Sequence, residues 1–332
     1  MKRILAYLIT LVAVIGLIYG CAKAGTSTPT TDPPSSEERT VENTTPTMLL
    51  CLPRDGEDHT LLRSAFTEKA QQLGYRAVIS EPDADNAMTD EQVWDIEQLQ
   101  HQAQSVIIYQ CDGTEEGLVK KWSDAGVAVI AAGKRLDGQL TDETGTIARR
   151  IKANVAFADG ALSKAVAAHL TTTLATNKAG AGFISMFGDT DAQIEFLNSV
   201  KADIILAESS FNPNDPILAA NATDQLQSVK SAKAIVFAGR DAEGWSDAME
   251  SLKTSALLGM CSTHPEAFDA LEDGEIDFLG INDPVDLMHK AVQAAHTVLD
   301  AEQGLSSWAI TANTLVLTQG DPQLFSYLKY DD

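Results

Sequence analysis

The adjacent cations Lys134 and Arg135 are the residues of this chain best placed to read a small molecule. They follow Val127 to Ala132, an unbroken apolar run of the length expected for a strand buried on both faces, and Gly133 makes the exit from it. Such a strand lies inside a parallel sheet, and open parallel α/β sheets bind ligands beyond the carboxyl ends of their strands. The chemistry this predicts is recognition and not bond making. There is no nucleophile elbow, P-loop or GxGxxG turn, and Gly180-Ala-Gly182 precedes a strand-like run instead of following one. The six histidines (His59, His101, His169, His264, His289 and His296) lack metal-ligand spacing and no CxxC pair occurs, so neither a metal nor a cofactor is expected. Paired carboxylates such as Asp283 and Asp286 arise by chance in so acidic a chain. A binding protein, not an enzyme, is the expected class.

The 332 residues carry 47 Asp and Glu against 24 Lys and Arg, a net charge of -23. A field of that sign repels polyanions and excludes nucleic acid as a partner. Met1-Lys-Arg3 precedes an uncharged, mostly apolar stretch from Ile4 to Gly20, and Ile18-Tyr-Gly-Cys21 resembles the processing site of bacterial lipoproteins. That resemblance implies a signal peptide over 1–20, lipidation of Cys21, and export of the remainder, anchored by lipid to the extracytoplasmic side of the cell membrane. An uncleaved membrane anchor is the alternative, and both readings leave the bulk of the chain outside the cytoplasm. Residues 21–47, rich in Thr, Ser, Pro and Glu, are too polar to bury a core and read as a disordered linker. Of the other cysteines, Cys51 and Cys111 fall on or next to strands expected to be neighbours, while Cys261 lies far along the chain. Three cannot all pair internally, and buried free thiols are the expected state.

From Met48 onward, elements alternate so as to position those loops. Met48 to Leu52 reads as a strand, Thr60 to Leu73 as a helix ended by Gly74, and Arg76 to Ser80 as a second strand. Thr89-Asp-Glu-Gln92 has the form of a capping box, opening a helix whose buried face is expected to be Val93, Ile96, Leu99 and Ala103. Ser105 to Tyr109, the run at Val127 and Ile151 to Val155 follow as strands, with a helix over Thr114 to Ala125. The pattern then begins again. A helix from Phe157 to Leu174 leads to strands at Gly182 to Phe187, Asp203 to Ala207, Ala234 to Ala238, Ala256 to Met260 and Asp277 to Ile281. Helices fit at Ile217 to Val229, Gly244 to Leu252 and Pro265 to Leu271, and a long one at Pro284 to Leu299 precedes a strand-like Ala309 to Leu317 and a partly aromatic tail. Two sets of about five strands predict two similar lobes.

Glu68-Lys-Ala-Gln-Gln-Leu-Gly-Tyr75, Ala125-Gly-Val-Ala-Val-Ile130, Asn154 before Asp159-Gly160, Ala234-Ile-Val-Phe-Ala-Gly-Arg-Asp241, Ala270-Leu-Glu-Asp-Gly-Glu-Ile276 and Asn282-Asp-Pro284 form an ordered series. In that order and spacing the chain resembles the periplasmic sugar-binding proteins typified by ribose-binding protein, whose ligand-sensing fold is shared with the lac repressor family. The resemblance implies an α/β protein of periplasmic-binding-protein type I: two flavodoxin-like lobes, each a parallel sheet with helices on both faces, joined by a three-strand hinge. The lobes would be 48–156 plus 283–309 and 157–282 plus 310–332. The chain would cross near Asn154 to Ala158, near Asn282 to Pro284, and again within Ile310 to Leu317. Closure on a ligand would follow from contacts to both lobes at once. The implied function is capture of a small polar ligand, a sugar or sugar derivative, for an ABC-type importer. Signalling to a membrane sensor kinase or chemoreceptor is the alternative, and a monomer is expected.

Site residues must then lie just past strand carboxyl ends. In the first lobe these are Asp55, Asp58, His59, Lys134, Arg135 and Asn154, with Arg54, Gln110 and Asp112 beside them. In the second they are Gln193, Phe211, Arg240, Asp241, Cys261 and Asn282, with Asp189, Asp191, Asn212, Trp245 and His264 nearby; Asp191 and Thr263 have the form of helix N-caps. Three departures from the family pattern bear on the ligand. The aspartate-arginine pair usual after the fourth strand is replaced by Gly133-Lys134-Arg135. Cys261 stands where an aspartate is usual, and Asp58 and His59 where aromatics sandwich the sugar. Loss of two carboxylates that would accept from sugar hydroxyls argues against a simple pentose or hexose and for a bulkier or anionic ligand.

Overall fold

The computed structural model describes residues 45–54, 59–136, 150–176, 183–188, 205–208, 233–238, 255–300, 305 and 307–328. The chain lays down β1 (Thr47–Cys51), β2 (Arg76–Ser80), β3 (Ser105–Tyr109), β4 (Ala128–Gly133) and β5 (Ile151–Ala156). Next come β6 (Phe183–Gly188), β7 (Ile205–Glu208), β8 (Ala234–Ala238), β9 (Leu257–Cys261) and β10 (Phe278–Asn282), and finally β11 (Ala309–Thr311) and β12 (Thr314–Thr318). They form two six-stranded sheets, ordered β2-β1-β3-β4-β5-β11 and β7-β6-β8-β9-β10-β12. The first is parallel throughout, and in the second only β12 runs antiparallel, against β10.

The described helices are α1 (Thr60–Gln72), α2 (Asp90–His101), α3 (Glu116–Asp124), α4 (Ala161–Thr176), α5 (Pro265–Glu272), α6 (Pro284–Leu299) and α7 (Leu324–Leu328). They cover both faces of the first sheet. Met48, Leu50, Ile107, Ile130 and Val155 pack with Phe66 of α1 and Leu287, Met288 and Ala291 of α6. Leu49, Val106, Ile108 and Val129 pack on the other face with Trp94 of α2 and Trp122 of α3. This two-sided burial is why β4 reads as a continuous apolar run: each alternate residue meets a different helical layer. In the second sheet Val236 and Phe278 face Val166 and Leu170 of α4, while Phe237, Met260 and Ile281 face Phe268 of α5 and Tyr327 of α7.

The order of strands makes the crossings explicit. After β5 the chain enters α4, which packs on β10 and β12; after β10 it enters α6, which returns to α1, β3, β4 and β5. The expected last strand is two strands, β11 in the first sheet and β12 in the second, separated by Ala312 and Asn313. Ala312 still donates its amide to Ala156 at 2.9 Å, whereas Thr314 opposes Asn282. The switch between sheets therefore occupies about one peptide.

Two sequence expectations are corrected. The capping box of α2 is present, with Thr89 and Gln92 each accepting the other's backbone amide, but the helix buries Trp94 and Gln98, and of the expected face Ala103, just past its end, is buried and Val93 half-buried. Ile96 and Leu99 are 40% and 59% exposed. The indole of Trp94 is the largest apolar group on the helix and donates to the Leu52 carbonyl at 3.2 Å, while Asp95 accepts from the Trp122 indole at 3.1 Å and pairs with Lys121. Seating those two indoles turns the aliphatic stripe outward. At α5, His264 and not Thr263 precedes the first turn, because Pro265 supplies the first helical residue. The helices expected over 217–229 and 244–252 lie outside the described residues.

Candidate functional site

The carboxyl ends of β1, β3, β4 and β5 lie side by side in the first sheet, and the residues just past them form one polar and aromatic edge. Its centre is Tyr109, the last residue of β3, in register with Ala132 of β4. Gly133 leaves β4 at φ +91, and a Cβ there would stand 2.9 Å from Tyr109 Cε2 and 3.1 Å from Cδ2. The ring therefore rests on the glycine. Gln110 follows in the left-handed region at φ 58, its amide donating to the Ala132 carbonyl at 2.9 Å. A non-glycine residue held there is costly and recurs at binding edges.

His59, buried at the start of α1, sets its ring edge against Tyr109 with centroids 5.7 Å apart and planes at 79°. Its Nδ1 lies 2.7 Å from Glu81 Oε1, and Arg63 donates to the other oxygen at 2.6 Å. The Glu81 carboxylate, just past β2, thus joins His59 before α1 to Arg63 within it.

Lys134 and Arg135 emerge where the sequence places them, each with a carboxylate in reach. Lys134 Nζ donates to Asp112 at 3.3 Å, and Arg135 lies 3.7 Å from Asp159; all four side chains are largely solvated. The backbone amide and hydroxyl of Thr114 hold the Asp112 carboxyl below the usual carboxylate range, with Lys134 adding to them. Asn154, expected to face a ligand, is 3% exposed. Its Oδ1 accepts from the Leu136 amide at 3.0 Å and its Nδ2 donates to the Lys134 carbonyl at 2.9 Å. The amide shapes the loop that carries both cations. Arg54 likewise turns to α2, donating to Met88 O at 3.3 Å and pairing with Asp90.

In the second sheet Cys261 ends β9, buried, and burial pushes its thiol up to about 12. Cys51 and Cys111 are also buried free thiols; desolvation pushes Cys51 well up and Cys111 to about 12, with Glu115 accepting from Cys111 at 3.6 Å. None has the thiolate character of a nucleophile. Asn282 ends β10 and accepts from the Thr314 hydroxyl at 3.0 Å across the β10–β12 pair, so it sits at a crossing. Asp55, Asp58, Gln193, Phe211, Arg240 and Asp241 lie outside the described residues, as do Asp189, Asp191, Asn212 and Trp245. A cavity of about 340 Å3 opens between α2 and α3, lined by Glu91, Asp95, Glu115 and Lys121, and none of the expected site residues borders it.

Beside the site, the start of α6 grips the third crossing. Asp283 caps the helix, accepting from the Val285 and Asp286 amides at 3.0 Å each, and its own amide donates to the Asn313 carbonyl at 3.0 Å. Asp286 accepts from the Asn313 amide at 2.7 Å and pairs with Lys290 at 2.7 Å, and Lys290 donates to the Thr311 carbonyl at 2.9 Å. The helix that returns to the first sheet so holds both sides of the switch between sheets. Sequence reasoning missed Tyr109, read only as a strand end, and this clamp, since Asp283 and Asp286 registered only as a chance pair. The aromatic at a predicted strand terminus was the available signal for Tyr109; Asn313 and Lys290 had none.

No family model matches the chain, and no curated protein matches it in sequence. Among solved structures it is similar to an ABC transporter solute-binding protein from Bradyrhizobium sp. BTAi1 with bound Bis-Tris, at TM-score 0.66 and 13% identity, covering 85% of this chain and 86% of that one. It is similar to an ABC transporter solute-binding protein from Agrobacterium vitis bound with alpha-D-tagatopyranose, at TM-score 0.57 and 19% identity, covering 85% and 98%. It is also similar to a chain of the TorS sensor domain–TorT complex in the absence of ligand, at TM-score 0.61 and 17% identity, covering 85% and 96%. The chain has the fold of the type I periplasmic binding proteins, as the ordered sequence motifs implied.

Proposed function

We propose that this chain is an extracytoplasmic solute-binding protein that captures a small polar ligand, a sugar or sugar derivative, between two lobes and delivers it to an ABC-type importer. The observation that carries the reading is the double crossing at Asn282 and Asn313, where two six-stranded sheets, each with its own helical layers, are joined by short strand connections. Such connections let lobes rotate about a few backbone angles while each core stays packed. The fold relatives that bind tagatose and Bis-Tris support a small polar ligand. The lobes of this reading are 48–156 with 283–309 and 157–282 with 310–332, and β11 (Ala309–Thr311) pairs with β5 in the first sheet. His59, Gln110, Lys134 and Arg135 supply contacts from the first lobe, and Gln193, Phe211, Arg240, Asp241 and Asn282 from the second. Cys21 carries the lipid and the stretch from 22 to the start of β1 is the tether, which puts the protein on the outer face of the cell membrane.

A sensing role is the second reading, favoured by the likeness to a chain from a sensor-domain complex. In it the closed lobes would engage a membrane sensor instead of a permease. The test of solute binding is a thermal-shift panel of sugars, polyols, nucleosides and amino acids. By linkage, a ligand at 100 times its dissociation constant adds about 2.7 kcal/mol of stability. Absence of any shift, together with binding of a membrane partner to the ligand-free protein, refutes solute capture.

A further inference from the structure

We infer that Leu61 is a latch between the two lobes: a side chain of the first lobe seated in the core of the second, which holds the lobes together in the absence of ligand. This rests on the two-lobe reading and adds to it a device that regulates closure, whatever the solute. Helix α1 packs on the first sheet, where Leu62, Ala65, Phe66 and Ala70 join the core. Leu61 does not join them. Its buried side chain belongs to the apolar cluster of the second sheet, together with Phe268 of α5, Ile281 of β10 and Leu324 and Tyr327 of α7. Val285, in the first turn of α6, packs against both clusters. Close by, the Tyr327 hydroxyl donates to Asp283, the cap of α6, while its ring stacks on Phe268 with centroids 5.2 Å apart.

These contacts differ in what a hinge motion does to them. Asp283 and Val285 directly follow Asn282, where the chain crosses, so rotation there moves them little. Leu61 lies on α1, between β1 and β2, and both of those strands belong to the first sheet. Its helix is also fixed on that side: the Arg63 amide donates to the His59 carbonyl at 2.9 Å, and the Glu81 carboxylate holds both side chains. The first turn of α1 therefore stays with the first sheet when the lobes part. Parting draws Leu61 out of the second core and exposes apolar surface on both sides. A contact made in one arrangement and lost in the other biases the equilibrium between them, and burial of a leucine is worth about tenfold or more in that ratio.

The test is the distance distribution between spin labels at Lys120→Cys and Glu272→Cys, exposed positions on α3 and α5, in the ligand-free full chain. Leu61→Ala is expected to raise the long-distance population about tenfold relative to the short one. Leu61→Val, a milder cut, shifts it the same way by less, and Leu61→Met keeps the distribution of the unsubstituted protein. Leu62→Ala removes the same atoms from the first core, and it lowers the melting temperature without moving the distribution. An unchanged distribution in both Leu61→Ala and Leu61→Val, or an equal change in Leu62→Ala, overturns the latch. The readout needs no solute, so it separates this inference from the reading it rests on. Solutes that bind, with distances unmoved by Leu61→Ala, overturn the latch and leave solute capture standing. A shifted distribution with no binding by any compound of the panel supports the latch and counts against capture.

Discussion

Replacing Asp286 with Ala releases the third crossing at a point that touches no proposed ligand contact. Its carboxylate accepts from the Asn313 amide at 2.7 Å and pairs with Lys290 at 2.7 Å, and the two side chains are 21% and 32% exposed. A hydrogen bond to a charged acceptor contributes about 1.5–3 kcal/mol net, and a partly exposed ion pair adds about 0.2–1 kcal/mol. The loss is therefore about 2 kcal/mol, which at about 2.1 cal/mol/K of unfolding entropy per residue lowers the melting temperature of a chain this long by about 3 °C. Lys290→Ala costs less, because Asp286 still accepts the Asn313 amide. The local readout is hydrogen exchange over 309–318, where protection of the Asn313 amide falls in Asp286→Ala and is largely kept in Lys290→Ala. The functional readout is the distance distribution between spin labels placed in the two sheets, which broadens in Asp286→Ala if the clamp restrains the hinge. Unchanged exchange at Asn313, or equal effects of the two substitutions, refutes the clamp. Lost stability with an unchanged distance distribution refutes its part in the hinge.

Asp283 gives a pH signature. Burial raises its carboxyl above the ordinary carboxylate value, against the opposing hydrogen bonds from the Asp286 and Val285 amides and the Tyr327 hydroxyl. In that window the folded chain binds more protons than the unfolded one, so this group's contribution to stability falls as pH rises from about 4 through its folded value and is level above it. Asp283→Asn keeps a cap acceptor and removes that slope, checked by denaturant unfolding at a series of pH values; an unchanged slope refutes the assignment. At Gly259 in β9 a Cβ would stand 2.0 Å from Phe278 Cζ, and Phe278 is fully buried beside His169. Gly259→Ala should cost about 3 kcal/mol or more by overpacking, and Phe278→Leu in the same chain should recover part of it; a neutral Gly259→Ala shows that the ring can move.

The strands were legible because each is short, apolar and bounded by turn residues. Arg76–Ser80 and Ala234–Ala238 fall where the pattern puts them, as does the long helix Pro284–Leu299. Gly126, at φ +84, ends α3 as its position before the apolar run predicted. The face of α2 was not legible, since periodicity picks out an aliphatic stripe but does not weigh it against two indoles that must each find an acceptor. At the candidate site, strand-end geometry brought out Lys134, Arg135 and His59, which the first sheet gathers on one edge. It could not tell a ligand contact from a loop clamp at Asn154, because that depends on which carbonyls lie within 3 Å in the folded chain.

By itself the sequence determined the α/β class, the order of the elements and the strand that ends at Gly133. Caps, glycines and hydrophobic period act within a few residues, so these properties are local. Only the tertiary structure decided what that glycine is for. The Tyr109 ring covers it from 24 residues earlier in the chain, and parallel pairing of β3 with β4 brings the two together. Likewise Asn313 reaches Asp286 only because β11 and β12 belong to different sheets. Where the family's carboxylate is missing, the fold sets the Tyr109 ring against Gly133.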